Sequence, residues 1–330
     1  MGQPIIAGAA FAAGLRTEFL STYEPKYSGL ASIENAMRRD VPSTRENEDF
    51  FYWNSSPRFV RWVRGETMPE KAFSGIAYNV VNYEWARAIP WHYADRSDDQ
   101  TRSMVEVARG LGHSATLLDE RVFFQIITAA ADNDLLPAIP NAPDGAALYA
   151  TTAGGAARFG ATGGNIVTGS GVTTAESIRT DLFSAKARFL QFQDTESEVL
   201  LDESMIDSGL TIFFGAANVK VFAEAFRQSV TALAASTAVS NAGVSNIVMD
   251  SGLKVTLKAT ARITDNDWFI FLDGMPVKPV FSMLREGLQD VTQTWQNSDE
   301  TRRTGIESIR WWMRKGYGVN AAFGSIKVNN

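Results

Sequence analysis

Apolar and polar residues alternate along one long tract of this chain. Phe59, Arg61 and Val63 oppose Val60, Trp62 and Arg64, and the run breaks at Gly65. Alternation then returns, with Tyr83, Trp85, Arg87 and Ile89 opposite Asn82, Glu84, Ala86 and Ala88. A period of two puts successive side chains on opposite faces of a strand, so residues 50–91 predict a long β-hairpin with its tip over residues 65–71. A two-stranded ribbon is not stable alone in water, so it must lie on something. The period then changes. Met104, Ala108, Leu111, Ala115, Leu118, Val122, Ile126 and Ala130 recur at steps of three and four, behind the cap candidates Asp95, Ser97, Asp98 and Asp99. That spacing predicts one helix over about residues 98–131, about 50 Å long, with Gly110 and Gly112 as places to bend.

The helix stops before Pro137. Residues 144–171 are crowded with glycine, including Gly154, Gly155, Gly160, Gly163, Gly164, Gly169 and Gly171, and read as a mobile connection. Thr173 or Thr174 then caps an amphipathic helix carrying Ile178, Leu182, Ala185 and Phe189 and ending near Asp194. A strand over 210–214, a helix over about 219–235 and strands over 247–249, 253–260 and 268–272 follow, the last two separated by a turn at Thr264, Asp265, Asn266 and Asp267. Beyond residues 278–285 comes a polar stretch, 289–303, then Ile309, Trp311 and Met313 and a final apolar strand. Residues 1–47 show only short apolar pieces between Gly, Pro and charge, and read as an arm that orders on a partner. No repeat of solenoid or propeller length is present.

With 330 residues the chain exceeds the roughly 250–300 at which a single core stops growing, which allows one large or two intimate domains. A hydrophobic share of 45% with 21% charge rules out a disordered or collagen-like chain. The net charge of -6 gives no global attraction to phosphate backbones or anionic lipid. The absence of cysteine excludes disulfides, thiol nucleophiles and thiolate metal sites. The uncharged stretch over 2–15 is too short to span a bilayer, and its first charge, Arg16, follows the apolar run, unlike a secretory signal. Ile6 stands where myristoylation would want Ser or Thr. A cytoplasmic product without a membrane partner is expected.

Candidate chemistry is sparse. His92 ends the hairpin and His113 lies on the long helix; a metal site would need both to converge with a carboxylate such as Asp95, and two ordinary hydrogen-bonded histidines are the expectation. Ser170 follows Gly169 where a phosphate loop would need Lys, and Asp265, Asn266 and Asp267 lack the glycine and distal Glu of a calcium loop. Arg302, Arg303, Arg310, Arg314 and Lys315 lie near Trp311 and Trp312, a mixture able to stack on nucleic acid. Asp299, Glu300 and Glu307 interleave them, so a solvated or intersubunit face is expected, with both tryptophans packing. A soluble enzyme using carboxylates such as Asp98 and Asp99 is a further reading, with no supporting constellation. No catalytic, cofactor-binding or metal-ligating residue is therefore assigned, and no cofactor is expected. An arm, an aromatic ribbon and an overlong helix expose more apolar surface than one subunit covers, which marks an interface with copies of itself.

The order of these parts resembles the major capsid protein of tailed phages, with the Hong Kong 97 phage fold, and more narrowly the major head subunit of Mu-like phages. Val81-Asn82-Tyr83-Glu84-Trp85-Ala86-Arg87-Ala88-Ile89-Pro90, then Asp98-Asp99-Gln100 and Ala108-Arg109-Gly110-Leu111-Gly112, are similar to that family's extended loop passing into its spine helix. Leu210-Thr211-Ile212-Phe213-Phe214, Trp268-Phe269-Ile270-Phe271-Leu272-Asp273, Lys278-Pro279-Val280 with Arg285, and Gly316-Tyr317-Gly318-Val319-Asn320-Ala321 are similar to its axial domain and terminal strands. The resemblance covers about residues 50–325. It implies an α+β fold divided into an N-terminal arm (1–47), an extended β-hairpin loop (48–94), a spine helix and peripheral domain with the Gly-rich connection (95–172), a mainly axial domain (173–278) and a C-terminal segment returning to the peripheral and axial sheet (279–330). It implies a non-enzymatic head protein of the virion, assembled in the host cytoplasm, whose hexamers and pentamers tile an icosahedral shell around double-stranded DNA held without base contacts. The implied partners are copies of itself, a scaffolding protein, a portal and a cement or decoration protein. Lys71 sits at a plausible ribbon-tip position for the family's Lys–Asn cross-link, without identifiable partners; cross-linking is not expected. An encapsulin-like compartment around a protein cargo shares the implied fold and is the alternative.

Overall fold

The computed structural model describes residues 8–28, 33–53, 60–62, 64, 67–68, 70, 75–98, 103–130, 132–226, 229–230, 244–245, 253–294 and 297–330. Its helices are α1 (Gly8–Ser28), α2 (Tyr93–Asp98), α3 (Ser103–Thr116), α4 (Leu118–Thr128), α5 (Ala175–Leu190), α6 (Glu203–Asp207), α7 (Val219–Ala225) and α8 (Asp299–Thr304). Its strands are β1 (Met37–Pro42), β2 (Asn47–Trp53), β3 (Gly75–His92), β4 (Thr152–Ala153), β5 (Ala156–Ala157), β6 (Ile166–Thr168), β7 (Leu210–Gly215), β8 (Ser229–Val230), β9 (Val244–Ser245), β10 (Val255–Thr260), β11 (Trp268–Leu272), β12 (Val280–Gln293), β13 (Ile306–Val319) and β14 (Ser325–Asn329). Among the described residues these strands make two five-stranded sheets, ordered β1-β12-β13-β3-β2 and β10-β7-β11-β14-β6.

The second sheet explains the unbroken apolar runs at 210–214 and 268–272. Strands covered on both faces lose the alternation of a half-solvated strand. Here Ile212, Phe214, Trp268 and Ile270 pack with Ile178, Leu182, Ala185 and Phe189 of α5 and Phe222 of α7. Phe213, Phe269 and Phe271 pack on the other side with Val122, Phe123, Phe124, Ile126 and Ile127 of α4. Thr174 caps α5 through a reciprocal pair with Ser177, the end assigned from sequence. The helix stops at Leu190, four residues short of the expected end.

The first sheet is built on alternation. Trp91, Ile89, Ile309 and Trp311 turn to one face and meet Ala12, Leu15 and Phe19 of α1 and Ala108 of α3. Phe19 stacks on Trp311 with centroids 4.4 Å apart, and Phe11 meets Trp91 edge-on at 5.5 Å. Residues 8–28 are thus a docked helix, where the sequence offered an arm without a face. The helix is rich in Ala and Gly all round, which leaves little polar contrast to read. Gly112 lets it approach α3, since a Cβ there would stand 2.6 Å from the Phe19 carbonyl oxygen.

Three further expectations change. The single long helix is two: α3 and α4 are separated at Leu117, and the glycines proposed as bending points stay helical. Thr116 Oγ1 donates to the Gly112 carbonyl at 2.9 Å, a side-chain bond that bends helices. The helix predicted over 219–235 runs only from Val219 to Ala225, and 231–243 lie outside the described residues, as does the strand predicted at 247–249.

The Gly-rich stretch is pinned rather than mobile. The buried Arg158 guanidinium pairs with both Asp144 carboxylate oxygens at 2.7 and 3.0 Å and donates to the Ala147 and Leu148 carbonyls at 2.7 and 2.8 Å. Buried Asn165 bonds the Leu148, Ala322 and Ser325 carbonyls and accepts from the Ala150 N–H. The glycines supply left-handed corners, as at Gly163 (φ +88°), between fixed polar anchors.

Candidate assembly surface

The hairpin begins at a fixed base. Glu48 accepts from the Thr44 and Arg45 N–H groups at 2.7 and 3.0 Å, and these backbone bonds hold its carboxyl below the usual range. Buried Asn82 donates to Ser43 Oγ and to the Arg45 carbonyl, both at 2.7 Å, and Phe50 meets Phe281 with centroids 5.2 Å apart. From this base β2 pairs antiparallel with the outer half of β3, Asn47 opposite Val81 and Trp53 opposite Gly75, while the inner half of β3 pairs with β13 from Asn82 to His92. The register fixes the hairpin predicted over 50–91, with a correction. Val60 to Trp62 form no strand, and the first strand lies earlier, over β2, where β3 supplies a partner. Alternation at 59–64 names faces but no partner.

Away from the base the hairpin is exposed and apolar. Phe51, Val60, Trp62 and Met68 are 53–63% exposed, beyond the scatter of single exposed apolar residues normal on a protein surface. Near the outer end of the β2–β3 ladder lies a cavity of about 510 Å³ between Tyr52 and Ile76 of the hairpin, the pinned loop at Arg158 and Phe159, and Leu200 and Asn320. Burial pushes the Tyr52 phenol up to about 12, with the Asp144 carboxylate adding to it. Asn320 Oδ1 is buried without a hydrogen-bond partner among the described residues.

The residues weighed for chemistry scatter. His92 Nδ1 accepts from the Ala94 N–H at 3.2 Å, and the His92 backbone N–H donates to the Asp95 carboxylate at 3.2 Å; His113 lies exposed on α3. Among the described residues no three His, Asp or Glu side chains gather around a point. Asp267 pairs with Lys327 at 2.6 Å and accepts from the Asn330 N–H, tying its turn to β14. Asp99 and Lys71 lie outside the described residues, as does the Asp98 side chain.

The arginine–tryptophan cluster divides by strand parity. Arg310, Trp312 and Arg314 lie on the outer face of β13, and Arg314 pairs with Glu84 and Glu286. Trp311 and Lys315 are interior. Lys315, read from sequence as part of a solvated face, sits between Asp119 at 3.0 Å and Asp40 at 2.8 Å, and Tyr317 donates to Asp119 at 2.8 Å. Asp40 reaches it through a bulge of β1 against β12, with φ at +55°. This buried knot joins β1, α4 and β13, and the sign that marked it was its odd-numbered place beside Trp311, Met313 and Tyr317.

Residues 9–135 match the family model described as the Mu-like prophage major head subunit gpT. The fold, two sheets with a projecting hairpin that leads into the spine helices, is that of solved phage capsids. The capsid of the cyanophage P-SCSP1u superposes with a TM-score of 0.51 at 14% identity over 89% of this chain and 86% of that one. The mature capsid of bacteriophage PhiM1 gives 0.52 at 10% over 90% and 86%, and the capsid of an empty GTA particle 0.54 at 11% over 91% and 90%. Fold and family match agree. The chain has the fold of phage capsid proteins, and its first part is similar to a phage major head subunit. No curated protein sequence matches it. Among the described residues no helix is long and apolar enough to cross a membrane.

Proposed function

We propose that this capsid subunit assembles in the host cytoplasm as hexamers and pentamers that close into an icosahedral shell around double-stranded phage DNA. The observation that carries the reading is the hairpin, whose base is held by Glu48, Asn82 and Phe50 while its outer apolar residues are left uncovered by their own subunit. Residues 1–47 act as the arm, 48–94 as the extended loop, 95–172 as spine and peripheral domain, 173–278 as the main part of the axial domain and 279–330 as the returning segment. The sheet orders support this division, because β12 and β13 return to the hairpin sheet and β14 to the axial one.

A separate scaffolding protein, a portal and a decoration protein complete the assembly, and the role is structural, without catalysis. DNA is confined rather than gripped, which the net charge of -6 allows. Negative-stain microscopy of the expressed protein tests the reading, with closed shells or capsomers expected. A well-behaved monomer at every concentration and salt would overturn it. Particles isolated from lysed host cells should hold DNA; a resident protein cargo would favour the encapsulin-like alternative.

A further inference from the structure

We propose that the inner half of β3 takes up an extended acidic peptide of a partner protein as an added strand. The inference does not depend on shell formation, since each subunit presents this edge alone. Main-chain polarity alternates along a strand, and two bonds fix its phase here. Asn82 donates its N–H to the Glu46 carbonyl at 2.8 Å, on the β2 side, and Tyr93 donates to the Gly305 carbonyl at 3.0 Å, on the β13 side. Pairing with β13 runs from Asn82 to His92 without a register shift. The even-numbered residues between therefore turn their N–H and C=O groups away from β13. Because β2 ends opposite Val81, no strand lies beside them among the described residues. Asp95 caps the His92 N–H at 3.2 Å, and Pro90 has none to offer. That leaves Glu84, Ala86 and Ala88, all exposed, with main-chain donors that meet no partner among the described residues. Edge groups in this state are a template for another strand.

The gap accepts only a short segment. Between the Glu46 and Asp95 contacts it runs from Glu84 to Pro90, roughly 20 Å of extended chain. A second β3, 18 residues long, would run on into the lane that β2 fills, so the edge does not serve its own copy. Charge selects among short segments. Arg87 and Arg310 are exposed and have no carboxylate partner among the described residues. Arg87 belongs to the edge strand itself, while Arg310 stands opposite Ala88 and so lies on the other face of the sheet. Successive side chains of an added strand alternate between those faces. Two adjacent carboxylates thus meet both arginines, one opposite Arg87 and one reaching over the small Ala88 side chain to Arg310. Trp312, opposite Ala86, offers its half-buried ring to an apolar residue next to that acidic pair. Arg314 does not compete, because Glu84 and Glu286 hold it.

The probe is a synthetic heptapeptide, Thr-Val-Glu-Glu-Val-Thr-Val, acetylated and amidated at its ends. At millimolar concentration it should slow hydrogen exchange within residues 83–91 of the unassembled subunit, with the gain falling on the amides of Glu84, Ala86 and Ala88. Lys-Lys in place of Glu-Glu should raise the concentration needed about tenfold, and so should the double variant Arg87→Ala, Arg310→Ala with the original probe, its circular dichroism unchanged. Should that variant misfold, the peptide comparisons decide alone. Two isomers of the probe, N-methylated at alternate residues, should differ in binding about tenfold, because only one set of N–H groups faces the edge. No protection by the original probe would overturn the proposal, as would equal binding of the two methylated isomers or of the Lys-Lys probe. Protection of the same amides by an oligothymidylate, and not by the peptide, would also overturn it and assign the two arginines to nucleic acid.

Discussion

Lys315 carries an ammonium group into the interior and meets two carboxylates there. Breaking a buried ion pair from one side leaves an uncompensated charge, at about 3–5 kcal/mol. Lys315→Ala should therefore lower the urea midpoint of the unassembled subunit far more than Arg310→Ala, five strand positions earlier and on the outer face; equal loss from both would mean that the parity of β13 is wrong. Tyr52 gives a second test at this scale. A phenol whose folded pKa is raised contributes stability that is fully present below its ordinary value near 10 and is lost as pH rises through about 12. The alkaline ultraviolet titration of the wild type minus that of Tyr52→Phe should show a group titrating near 12. Single residues were the least legible part of the sequence. Lys315 looked solvated because its neighbours in sequence are charged, and the carboxylates that claim it, Asp40 and Asp119, lie hundreds of positions away and carry no mark of their destination.

Among elements, those whose pattern is self-sufficient were readable. The runs at 210–214 and 268–272 are apolar throughout because both faces are covered, and the cap at Thr174 announces α5. Helix α1 was not readable, since its burial depends on small residues and on a close approach that only Gly112 permits. Gly112→Val should force the helices apart, with an overpacking cost of about 1–3 kcal/mol, and expose Arg16 to limited trypsin digestion while the rest of the subunit resists. A digestion pattern identical to wild type would mean that α1 is held without that contact. The glycine-rich stretch was misread because glycine reports freedom in the unfolded chain and says nothing of an Arg158 or Asn165 that removes it. Arg158→Leu should raise amide exchange across residues 144–165 and leave α5 protected.

For the whole molecule, the hairpin should gain its order from neighbours. Amides of β2 and the outer half of β3 should exchange quickly in unassembled subunits and become protected in shells, because local stability follows buried contacts. Deleting residues 65–71 should spare subunit folding and impair shells. Equal protection in both states would make the hairpin an internal sheet element. The sequence carried the overall architecture well here, since the order of hairpin, spine and axial strands is itself the signal. The docking of α1 was not in that order.

The first sheet is stitched from distant parts of the chain: Met37 lies beside Val280 in parallel, and Trp85 faces Met313. Such pairings have high contact order, and a loop of that length must close before any of its ladder forms, which slows folding. At a synthesis rate of roughly 5–20 residues per second, β1 waits about 12–50 s for its partner to leave the ribosome, with Ile33 and Met37 uncovered meanwhile. The nascent subunit is therefore a natural client of folding chaperones. Refolding from denaturant should run through a slow phase whose yield falls as protein concentration rises, and a chaperone that sequesters single chains should restore it.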